Sequence, residues 1–371
     1  MTRYFLIAGE TSGDAHAAAL LEQIRLREPE AQFTGLGGDR MEAAGCHLYR
    51  HIRHMAFMGI AAVLSHWREV KDNFRIAREA LLSERPDGLI LIDYPSFNLR
   101  MAAFCRKHLP NTKIYYYIPP KVWAWKRRRI HQIARLCDEV LGIFPFEPAF
   151  YAKYGYRCTY VGNPTAEEID RFAQRQKTTI AQGQKTIAIL PGSRPTEITN
   201  CLPRMLEAAR RFPEYSLKVC AAPGIDDTVY TPYLRAGETL TRDTYTIVQH
   251  ASAAIVNSGT ATLETALLGC PQMAVYYLAL SWFLGLIRKA GQPILFSIKH
   301  FTLVNIISDK EVIKELLANE FTVDNVAAEL DRLLHDEAYK KEMLANYKHL
   351  SESLGSLPAS ATAAAIITSR L

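Results

Sequence analysis

The sequence predicts an α/β protein built from two doubly wound halves and a helical C-terminal tail. Three observations support this fold. Apolar strand segments alternate with helical segments up to residue 143, a polar stretch at residues 174–185 interrupts the pattern, and the alternation restarts at Thr186. Alternating strands and helices predict parallel sheets that are covered on both faces. The length of 371 residues also suits two domains of roughly 150 residues each.

The first half is predicted to contain five strands with helices between them. Gly88–Ile92 is the clearest strand, because it is a continuous apolar run that ends at Asp93, as expected of a strand buried on both faces. The other predicted strands are residues 3–8, 31–36, 113–118 and 139–143, and the clearest helices are residues 14–27 and 68–84.

The second half repeats the pattern after the polar linker. Its predicted strands are Thr186–Leu190, residues 217–221, Ala253–Val256 and Gln272–Tyr276, and residues after 311 show only helical patterns. We therefore predict an N-terminal half at residues 1–175, a C-terminal half at 176–345 and a tail at 346–371. The tail either crosses back to the N-terminal half or is exchanged between two chains of a homodimer.

The composition predicts a globular protein of the cytoplasm. Hydrophobic residues make up 49% and charged residues 22% of the chain, and no apolar run reaches the ~20 residues that span a bilayer. The apolar run at residues 4–9 is too short for a signal peptide. A net charge of +6 and a pI of 8.8 favour phosphates, nucleic acid or an anionic membrane as partners. Because no nucleic-acid-binding motif accompanies the basic run at residues 126–129, we predict no nucleic-acid partner.

The cysteines and histidines do not predict a metal site. The seven cysteines form no C-x-x-C pair, which indicates reduced thiols in the core and not a disulfide framework or a zinc site. His47, His51 and His54 cluster in the sequence, but no further ligand is evident beside them.

Two candidate site segments follow strands of the first half, since ligands of open α/β sheets bind beyond the carboxyl ends of strands. Residues 8–14 carry Glu10, Ser12 and Asp14 at the start of a helix, where they form either an anion-friendly pocket or a simple capped turn. Asp93 follows a buried strand, where a carboxylate is unfavourable unless it is paired or functional. It is suited to deprotonate a hydroxyl group, or it caps the helix that starts near Phe97.

Two more candidate segments follow strands of the second half. In the first, which comprises Gly192, Ser193 and Arg194, the glycine allows close approach of the backbone to a ligand, and Arg194 can bind a phosphate with two hydrogen bonds. In the second, small residues precede a helix whose free N–H groups suit a diphosphate, and Glu264 can accept hydrogen bonds from ribose hydroxyls. This segment comprises Ser258, Gly259, Thr260, Thr262 and Glu264. An ordinary turn with a surface arginine, and helix capping by Thr260 and Glu264, are the alternatives.

Together with two further blocks, these segments resemble the lipid-A-disaccharide synthase family. The further blocks are Val122-Trp123-Ala124-Trp125 and Leu303-Val304-Asn305, and all the blocks occur in the order of the family along nearly the whole chain. The resemblance implies a GT-B glycosyltransferase with two Rossmann-like halves facing a cleft. It implies inverting transfer of 2,3-diacylglucosamine from UDP to the 6-hydroxyl of 2,3-diacylglucosamine 1-phosphate (lipid X), without a metal or other cofactor. The product is a β-1,6-linked disaccharide 1-phosphate.

The resemblance also implies roles for individual residues. Asp93 corresponds to the proposed base, Arg194 and residues 258–262 to diphosphate contacts, and Glu264 to a ribose contact. Asn305 corresponds to a further residue on the nucleotide side. The residues expected to line the acceptor side of the cleft are Glu10, Ser12, Asp14 and Asn98.

The chain departs from the family pattern at three positions. Pro119 and Lys121 replace a serine and an uncharged residue before the Trp-Ala-Trp block, so no role is transferred to Pro119. Ser96 replaces a second acidic residue, which leaves Asp93 as the carboxylate of its segment.

Two apolar stretches are candidates for contact with acyl chains or a membrane. They are residues 56–64, with Phe57 and Met58, and residues 280–289, with Trp282, Phe283 and Leu286. The second has the aromatic and cationic composition of an interfacial helix, although buried core is the equal alternative for both stretches. The expected location is the cytoplasmic face of the inner membrane of a Gram-negative cell, where the basic run at residues 126–129 either meets lipid head groups or is a solvated helix face.

Two other functional classes are compatible with the same architecture. A UDP-sugar 2-epimerase would share the two halves and the loop that ends in a glutamate, but it requires several acid–base groups around the sugar. A regulatory module would bind a nucleotide without any chemistry. Supplying a UDP-sugar alone and replacing Asp93 separate these classes from a transferase.

Overall fold

The computed structural model describes residues 1–55, 67–124, 127–175, 185–257, 259–277 and 300–370. The chain forms two compact units: unit 1 comprises Met1–Pro164 with Ser356–Leu371, and unit 2 comprises Thr165–Gly355. The sequence predicts boundaries after residues 175 and 345, whereas the units divide at the start of one helix and after the end of another. A helix is a rigid element, so the chain changes unit where the helices Pro164–Arg175 and Glu337–Leu354 meet their flanking loops.

Unit 1 is built on a parallel sheet of seven strands in the order β3-β2-β1-β4-β5-β6-β7. The strands are β1 (Arg3–Ala8), β2 (Gln32–Gly37), β3 (His47–His51), β4 (Gly88–Ile92), β5 (Lys113–Tyr117), β6 (Glu139–Gly142) and β7 (Thr159–Tyr160). The helices are α1 (Thr11–Arg27), α2 (Asp39–Ala43), α3 (Trp67–Glu84), α4 (Pro95–His108), α5 (Arg129–Leu136) and α6 (Glu147–Ala152).

The apolar strands of this sheet divide their side chains between two cores. Phe5 and Ile7 of β1 pack into one core and Leu6 into the other, and both cores are closed to solvent. Side chains alternate across a strand, so a continuous apolar run is what a sheet covered on both faces requires. The predicted central strands of the first half are confirmed, whereas β3 and β7 at the edges were not predicted.

Unit 2 is built on a parallel sheet of six strands in the order β10-β9-β8-β11-β12-β13. The strands are β8 (Thr186–Leu190), β9 (Ser216–Cys220), β10 (Thr239–Thr241), β11 (Ala253–Val256), β12 (Gln272–Tyr276) and β13 (Glu315–Leu317). The helices are α7 (Pro164–Arg175), α8 (Pro195–Ala209), α9 (Thr244–His250), α10 (Gly259–Leu267), α11 (Leu303–Ser308), α12 (Val323–His335) and α13 (Glu337–Leu354). The prediction of helices only after residue 311 is wrong at β13, a short edge strand that pairs with β12.

The C-terminal helix α14 (Ala359–Thr368) belongs to unit 1. It packs on α1, and its Ala363, Ala364 and Ile367 are fully buried in a core of the first sheet. The Tyr115 hydroxyl donates to the Ile367 carbonyl oxygen at 3.3 Å. The tail therefore completes one face of unit 1 within the same chain.

The two strand orders place the same topological feature in each unit. The direction of winding reverses between β1 and β4 in unit 1 and between β8 and β11 in unit 2. Ligands of doubly wound sheets bind at such switch points, beyond the carboxyl ends of the strands. Three of the four candidate segments begin directly after one of these strands, and the fourth follows Asn257 at the end of β11.

Further structural facts concern membranes, metals and thiols. In the described parts of the chain, no helix combines the length and hydrophobicity that a membrane span requires. The described residues also contain no cluster of three histidine, cysteine or acidic side chains placed to hold a metal ion. All seven cysteines are free thiols, and all except Cys158 are buried.

Candidate active site

Asp93 lies in a strained two-residue turn at the switch point of unit 1. Strand β4 ends at Ile92 and α4 begins at Pro95, so Asp93 and Tyr94 alone connect them. Both have left-handed backbones, with φ of 44° and 43°. Such a conformation is unfavourable for residues other than glycine and persists only where the surroundings hold it. The sequence thus places strain at the predicted base.

Two buried side chains hold this turn from below. The Asn98 side-chain Nδ2 and the Tyr116 hydroxyl each donate to the Asp93 carbonyl oxygen at 2.8 Å. Asn98 is fully buried and also contacts the Ile92 carbonyl oxygen at 3.2 Å. Asn98, which we expected on the acceptor side, instead positions Asp93 from within the core. Tyr116 was not among the predicted site residues.

The environment of Asp93 favours proton uptake more than that of an ordinary carboxylate. Burial raises its pKa, while the charge of Lys121 and the backbone N–H of Tyr94 oppose the rise. The residue as a whole is half-buried and is therefore not closed off from solvent. A base with a raised pKa accepts a proton more readily near neutral pH, which is the property that Asp93 requires for its predicted role.

Glu10 lies beside the Asp93 turn because β1 and β4 are neighbours, with Ala8 paired to Ile92. The Tyr94 ring packs directly over Gly9, where an added Cβ would lie 2.2 Å from the ring. Burial and the charge of Glu10 raise the pKa of Tyr94 to about 12. The first and second candidate segments therefore meet beyond the carboxyl ends of the central strands β1 and β4.

Asp14, which is expected on the acceptor side, holds a neighbouring turn of unit 1. It is buried, and its carboxylate accepts hydrogen bonds from the backbone N–H groups of Gly38, Arg40 and Met41 at 2.7–3.1 Å. These contacts cap the short helix α2, so Asp14 stabilises the neighbouring β2–α2 turn. Ser12, in contrast, is exposed on the first turn of α1.

Glu147 is a buried carboxylate that the sequence analysis missed. It is fully buried beyond β6, where Oε2 accepts from the backbone N–H groups of Ile143 and Phe144 and Oε1 accepts from the Trp123 indole at 3.2 Å. Burial raises its pKa to about 7. Glu147 thereby anchors the Trp123 segment.

The loop after β8 in unit 2 is shaped around Glu197. Gly192 has a φ of 121°, and a Cβ there would lie 2.8 Å from the Glu197 Cβ. The Glu197 carboxylate accepts from the Ser193 backbone N–H at 3.0 Å and from the Arg194 guanidinium at 2.8 Å. Arg194 is half-exposed and uses one nitrogen in this pair. Glu197 therefore orients Arg194 while leaving donors of the guanidinium for a ligand.

The N-terminus of α10 lies beside this loop, because Val256 of β11 pairs with Leu190 of β8. Space around Gly259 is open, and Thr260 is half-exposed on the first turn. Thr262 is fully buried, and its hydroxyl donates to the Gly259 carbonyl oxygen at 2.7 Å. Thr262 therefore fixes the first turn from inside, while Gly259 and Thr260 present its open N–H groups. Ser258 lies outside the described residues.

Glu264 lies one turn further along α10, where it is half-buried. Burial and the nearby Glu168 of α7 raise its pKa to about 7. The Tyr245 hydroxyl donates to Glu264 Oε1 at 3.4 Å, and the Tyr245 ring packs edge-on against Phe172, also of α7. Glu264 thus lies where a group bound at the start of α10 would extend.

The pKa of Glu264 predicts pH-dependent binding of a UDP-sugar. At the ribose contact that the resemblance implies, ribose hydroxyls would donate to the ionised carboxylate, so affinity should fall about tenfold per pH unit as the pH drops below about 7. Titration calorimetry between about pH 6 and pH 8.5 measures the trend, since the sugar diphosphate ester has no group of its own that titrates there. Glu264→Gln should bind weakly at every pH, and Glu214→Gln, an exposed control in the same unit, should behave as the unchanged protein. An identical pH trend in Glu264→Gln would remove Glu264 from the site.

Asn305, which is expected on the nucleotide side, uses its side chain within unit 2. It is fully buried; Nδ2 donates to the Ile313 carbonyl oxygen and the Glu315 carboxylate, and Oδ1 accepts from the N–H groups of Val312 and Ile313, all at 2.8–3.0 Å. These four bonds use its hydrogen-bonding capacity. Asn305 therefore stabilises the loop before β13 and has no free group for a direct nucleotide contact.

The predicted acyl- or membrane-contact residues are not part of this description. Phe57, Met58, Trp282, Phe283 and Leu286 lie outside the described residues. Their contacts stay predictions from the sequence.

Comparison with known proteins decides the family. The sequence model described as Lipid-A-disaccharide synthetase matches residues 4–367. The chain belongs to the lipid-A-disaccharide synthetase family. Lipid-A-disaccharide synthase of Geobacter sulfurreducens is 34% identical and aligns with 100% of this chain and 97% of its own length. The enzyme of that name from Syntrophus aciditrophicus is 36% identical, with 98% and 96% covered.

Solved structures of low sequence identity confirm the GT-B fold. The glycosyltransferase of kitacinnamycin superposes with a TM-score of 0.65 at 13% identity, covering 100% of this chain and 99% of the other. UDP-GlcNAc 2-epimerase of Methanocaldococcus jannaschii gives 0.63 at 8% identity, with 100% of both chains covered. The fold is thus shared by transferases and epimerases, and family membership separates them. The lipid-A-disaccharide synthetase family makes this chain a hexosyltransferase, and the epimerase alternative is not favoured.

Proposed function

We propose that Asp93 activates the 6-hydroxyl of lipid X for attack on UDP-2,3-diacylglucosamine, giving the β-1,6-linked lipid A disaccharide 1-phosphate and UDP. The observation that carries this proposal is the Asp93 turn. It lies at a switch point, it is strained and clamped from below, and its carboxyl group has a raised pKa. Strain that the core maintains is typical of functional positions.

The proposed step forms one bond and breaks one. The acceptor oxygen O6 attacks C1 of the donor sugar while its proton passes to the Asp93 carboxylate. The bond between C1 and the diphosphate oxygen breaks, and the electron pair leaves with UDP. Attack opposite the leaving group converts the α-linked donor into a β-linked product, so the reaction inverts.

Arg194 and the N-terminus of α10 are proposed to stabilise the leaving diphosphate. The guanidinium provides a fixed positive charge, and the N–H groups of Gly259 and Thr260 lie at the positive end of a helix dipole. Such preorganised groups stabilise charge that develops in a transition state. No resident cofactor is proposed, since the UDP-sugar is itself a substrate and these groups meet its charge.

Mass spectrometry of the products tests the proposal. UDP-2,3-diacylglucosamine with lipid X should give the disaccharide 1-phosphate and UDP in equal amounts. UDP-2,3-diacylglucosamine alone should give neither an epimer nor free sugar. Release of an epimer from the donor alone, or absence of the disaccharide, would reject the proposed reaction.

Peripheral attachment to the cytoplasmic face of a Gram-negative inner membrane is proposed from the chemistry of the substrates. Both substrates carry acyl chains, and residues 280–289 have the composition of an interfacial helix. Trp282→Glu with Phe283→Glu should weaken binding to anionic liposomes in a sedimentation assay and leave UDP affinity unchanged. Leu26→Glu with Leu357→Glu replaces two exposed leucines and serves as the control. Unchanged liposome binding of the Trp282 and Phe283 variant would reject this surface.

The remaining partners are also proposals. The two lipid-linked sugars are the proposed small-molecule partners, and no nucleic-acid partner is proposed. A homodimer is a prediction from the sequence, and light scattering of the purified protein in neutral detergent tests it. A mass of one chain at every concentration would reject the homodimer.

A further inference from the structure

The chemistry of the proposed acceptor restricts where its phosphate can lie. The reacting hydroxyl on C6 and the phosphate on C1 belong to one sugar ring, and six covalent bonds separate the oxygen O6 from the phosphorus, so the two lie within roughly 8 Å of each other. An acceptor whose O6 contacts Asp93 therefore places a phosphate dianion in the immediate surroundings of the Asp93 turn. The groups of unit 1 near the carboxyl ends of β4 and β5 are therefore the ones to search for a phosphate site.

Lys121 is the first cation in these surroundings. It follows β5, the strand next to β4, and its side chain is exposed. It lies four residues beyond Tyr117, which pairs with Ile92 at the end of β4, and its charge opposes the burial-driven rise in the pKa of both Asp93 and Glu147. It has no salt bridge to any residue that the structure describes. The Trp123–Glu147 hydrogen bond, two residues away, fixes the segment that carries it.

Arg129 is the second cation. It is the first residue of α5, and its Nη2 donates to the Ser96 hydroxyl at 3.3 Å, on the first turn of the helix that follows Asp93. Its charge also acts on Tyr116, whose hydroxyl binds the Asp93 carbonyl oxygen. Within the described parts of the chain it has no carboxylate partner, whereas Arg106 of the same unit is paired with Asp138 at 2.7 Å.

We propose that Lys121 and Arg129 bind the phosphate monoester of the acceptor and thereby set O6 against Asp93. This inference rests on the proposed function, because the proposed acceptor brings the phosphate to this part of unit 1. Two cations without salt bridges, beside a carboxylate base, suit a ligand that carries a dianion on one side of the ring and a hydroxyl on the other. The site thus selects a phosphorylated acceptor over one without phosphate.

The site is tested by measuring variants that lack one of the two cations with acceptors that carry or lack the phosphate. Lys121→Met and Arg129→Met are assayed in neutral detergent micelles with lipid X and with 2,3-diacylglucosamine that lacks the phosphate. With lipid X, kcat/KM should fall roughly tenfold or more in each variant. With the acceptor that lacks phosphate, the Arg129 variant should stay within about twofold of the unchanged protein. Lys121→Met also removes a charge that acts on Asp93, so its effect is taken as the ratio between the two acceptors.

Arg157→Met is the matched control. It removes an exposed positive charge of the same unit that precedes the N-terminal end of β7, whereas the proposed site lies beyond the carboxyl ends of β4 and β5. It should leave both acceptors unaffected. Equal losses with the two acceptors in both variants would overturn the proposal and assign a structural role to the cations, and unchanged kinetics would overturn it as well. If the variants are less active than the unchanged protein only in the presence of anionic phospholipid vesicles, the cations bind lipid head groups and the proposal fails. Absence of disaccharide formation by the unchanged protein would instead reject the proposed function.

Discussion

The Asp93→Asn variant is expected to lose turnover by a factor on the order of 10²–10⁴ while its affinity for UDP stays unchanged. Asparagine keeps the size of the side chain but cannot accept the proton of the acceptor hydroxyl. It is also among the residues that tolerate a left-handed backbone, so the φ of 44° at this position should be kept. Single-turnover kinetics with lipid X and calorimetry with UDP measure the two quantities.

Asp87→Asn provides the control for this variant. Asp87 precedes the same strand β4 at its opposite end, where its carboxylate accepts from the backbone N–H of Arg3 at 2.8 Å. Its replacement changes the same functional group far from the proposed site, so turnover should be kept. Normal turnover of Asp93→Asn, measured on folded protein, would rule out Asp93 as the base.

The Arg194→Met variant is expected to lose roughly 10²-fold in kcat/KM for the UDP-sugar, with a parallel loss of UDP affinity. Methionine keeps much of the length of the side chain but removes the charge that we propose to face the diphosphate. The partner Glu197 is then left without its cation and adds negative charge beside the phosphates. Steady-state kinetics and UDP calorimetry measure both losses.

Arg211→Met is the control for Arg194 in the same unit. Arg211 is exposed to a similar degree and also forms an ion pair, to Asp324 at 2.7 Å. Exposed pairs of this kind contribute about 0–1 kcal/mol to stability, so its loss should be silent in the assay. If Arg194→Met bound UDP as tightly as the Arg211 variant, the diphosphate would have to lie elsewhere.

The candidate segments can be recognised in the sequence because they follow buried strands. Asp93 was visible as a carboxylate at the end of the apolar run Gly88–Ile92. Glu147 follows the shorter strand Glu139–Gly142 after a loop, where no such contrast draws attention to it. A carboxylate that directly follows a long apolar run is therefore easy to recognise in the sequence, whereas one that follows a four-residue strand after a loop is not.

Tertiary partners explain contacts of predicted site residues that the sequence does not show. Asp14 binds backbone N–H groups that lie 24–27 residues further along the chain, and sequence does not show which groups will face it. Asn305 likewise looked like a ligand contact, but it satisfies the backbone of the loop before β13. Polar residues in such motifs can therefore stabilise neighbouring loops through backbone hydrogen bonds and need not contact a ligand.

Short edge strands and unit boundaries were also beyond sequence patterns. His47–His51 and Glu315–Leu317 are polar or short and pair on one side only, so they lack the apolar run of a central strand. The polar stretch at residues 174–185 marks the end of α7, but α7 already packs on unit 2 through Phe172. Packing, and not composition, fixes where the second unit begins.

Because α14 belongs to unit 1, it affects the order in which the two units can complete folding during translation. Unit 2 is one continuous stretch, Thr165–Gly355, whereas unit 1 needs α14 from beyond it. Domains generally fold during synthesis, while the ribosome adds roughly 5–20 residues per second. The whole of unit 2 is therefore translated before the last helix of unit 1 exists. Until Ala363, Ala364 and Ile367 arrive, an apolar patch of the nascent N-terminal half stays uncovered and open to chaperones.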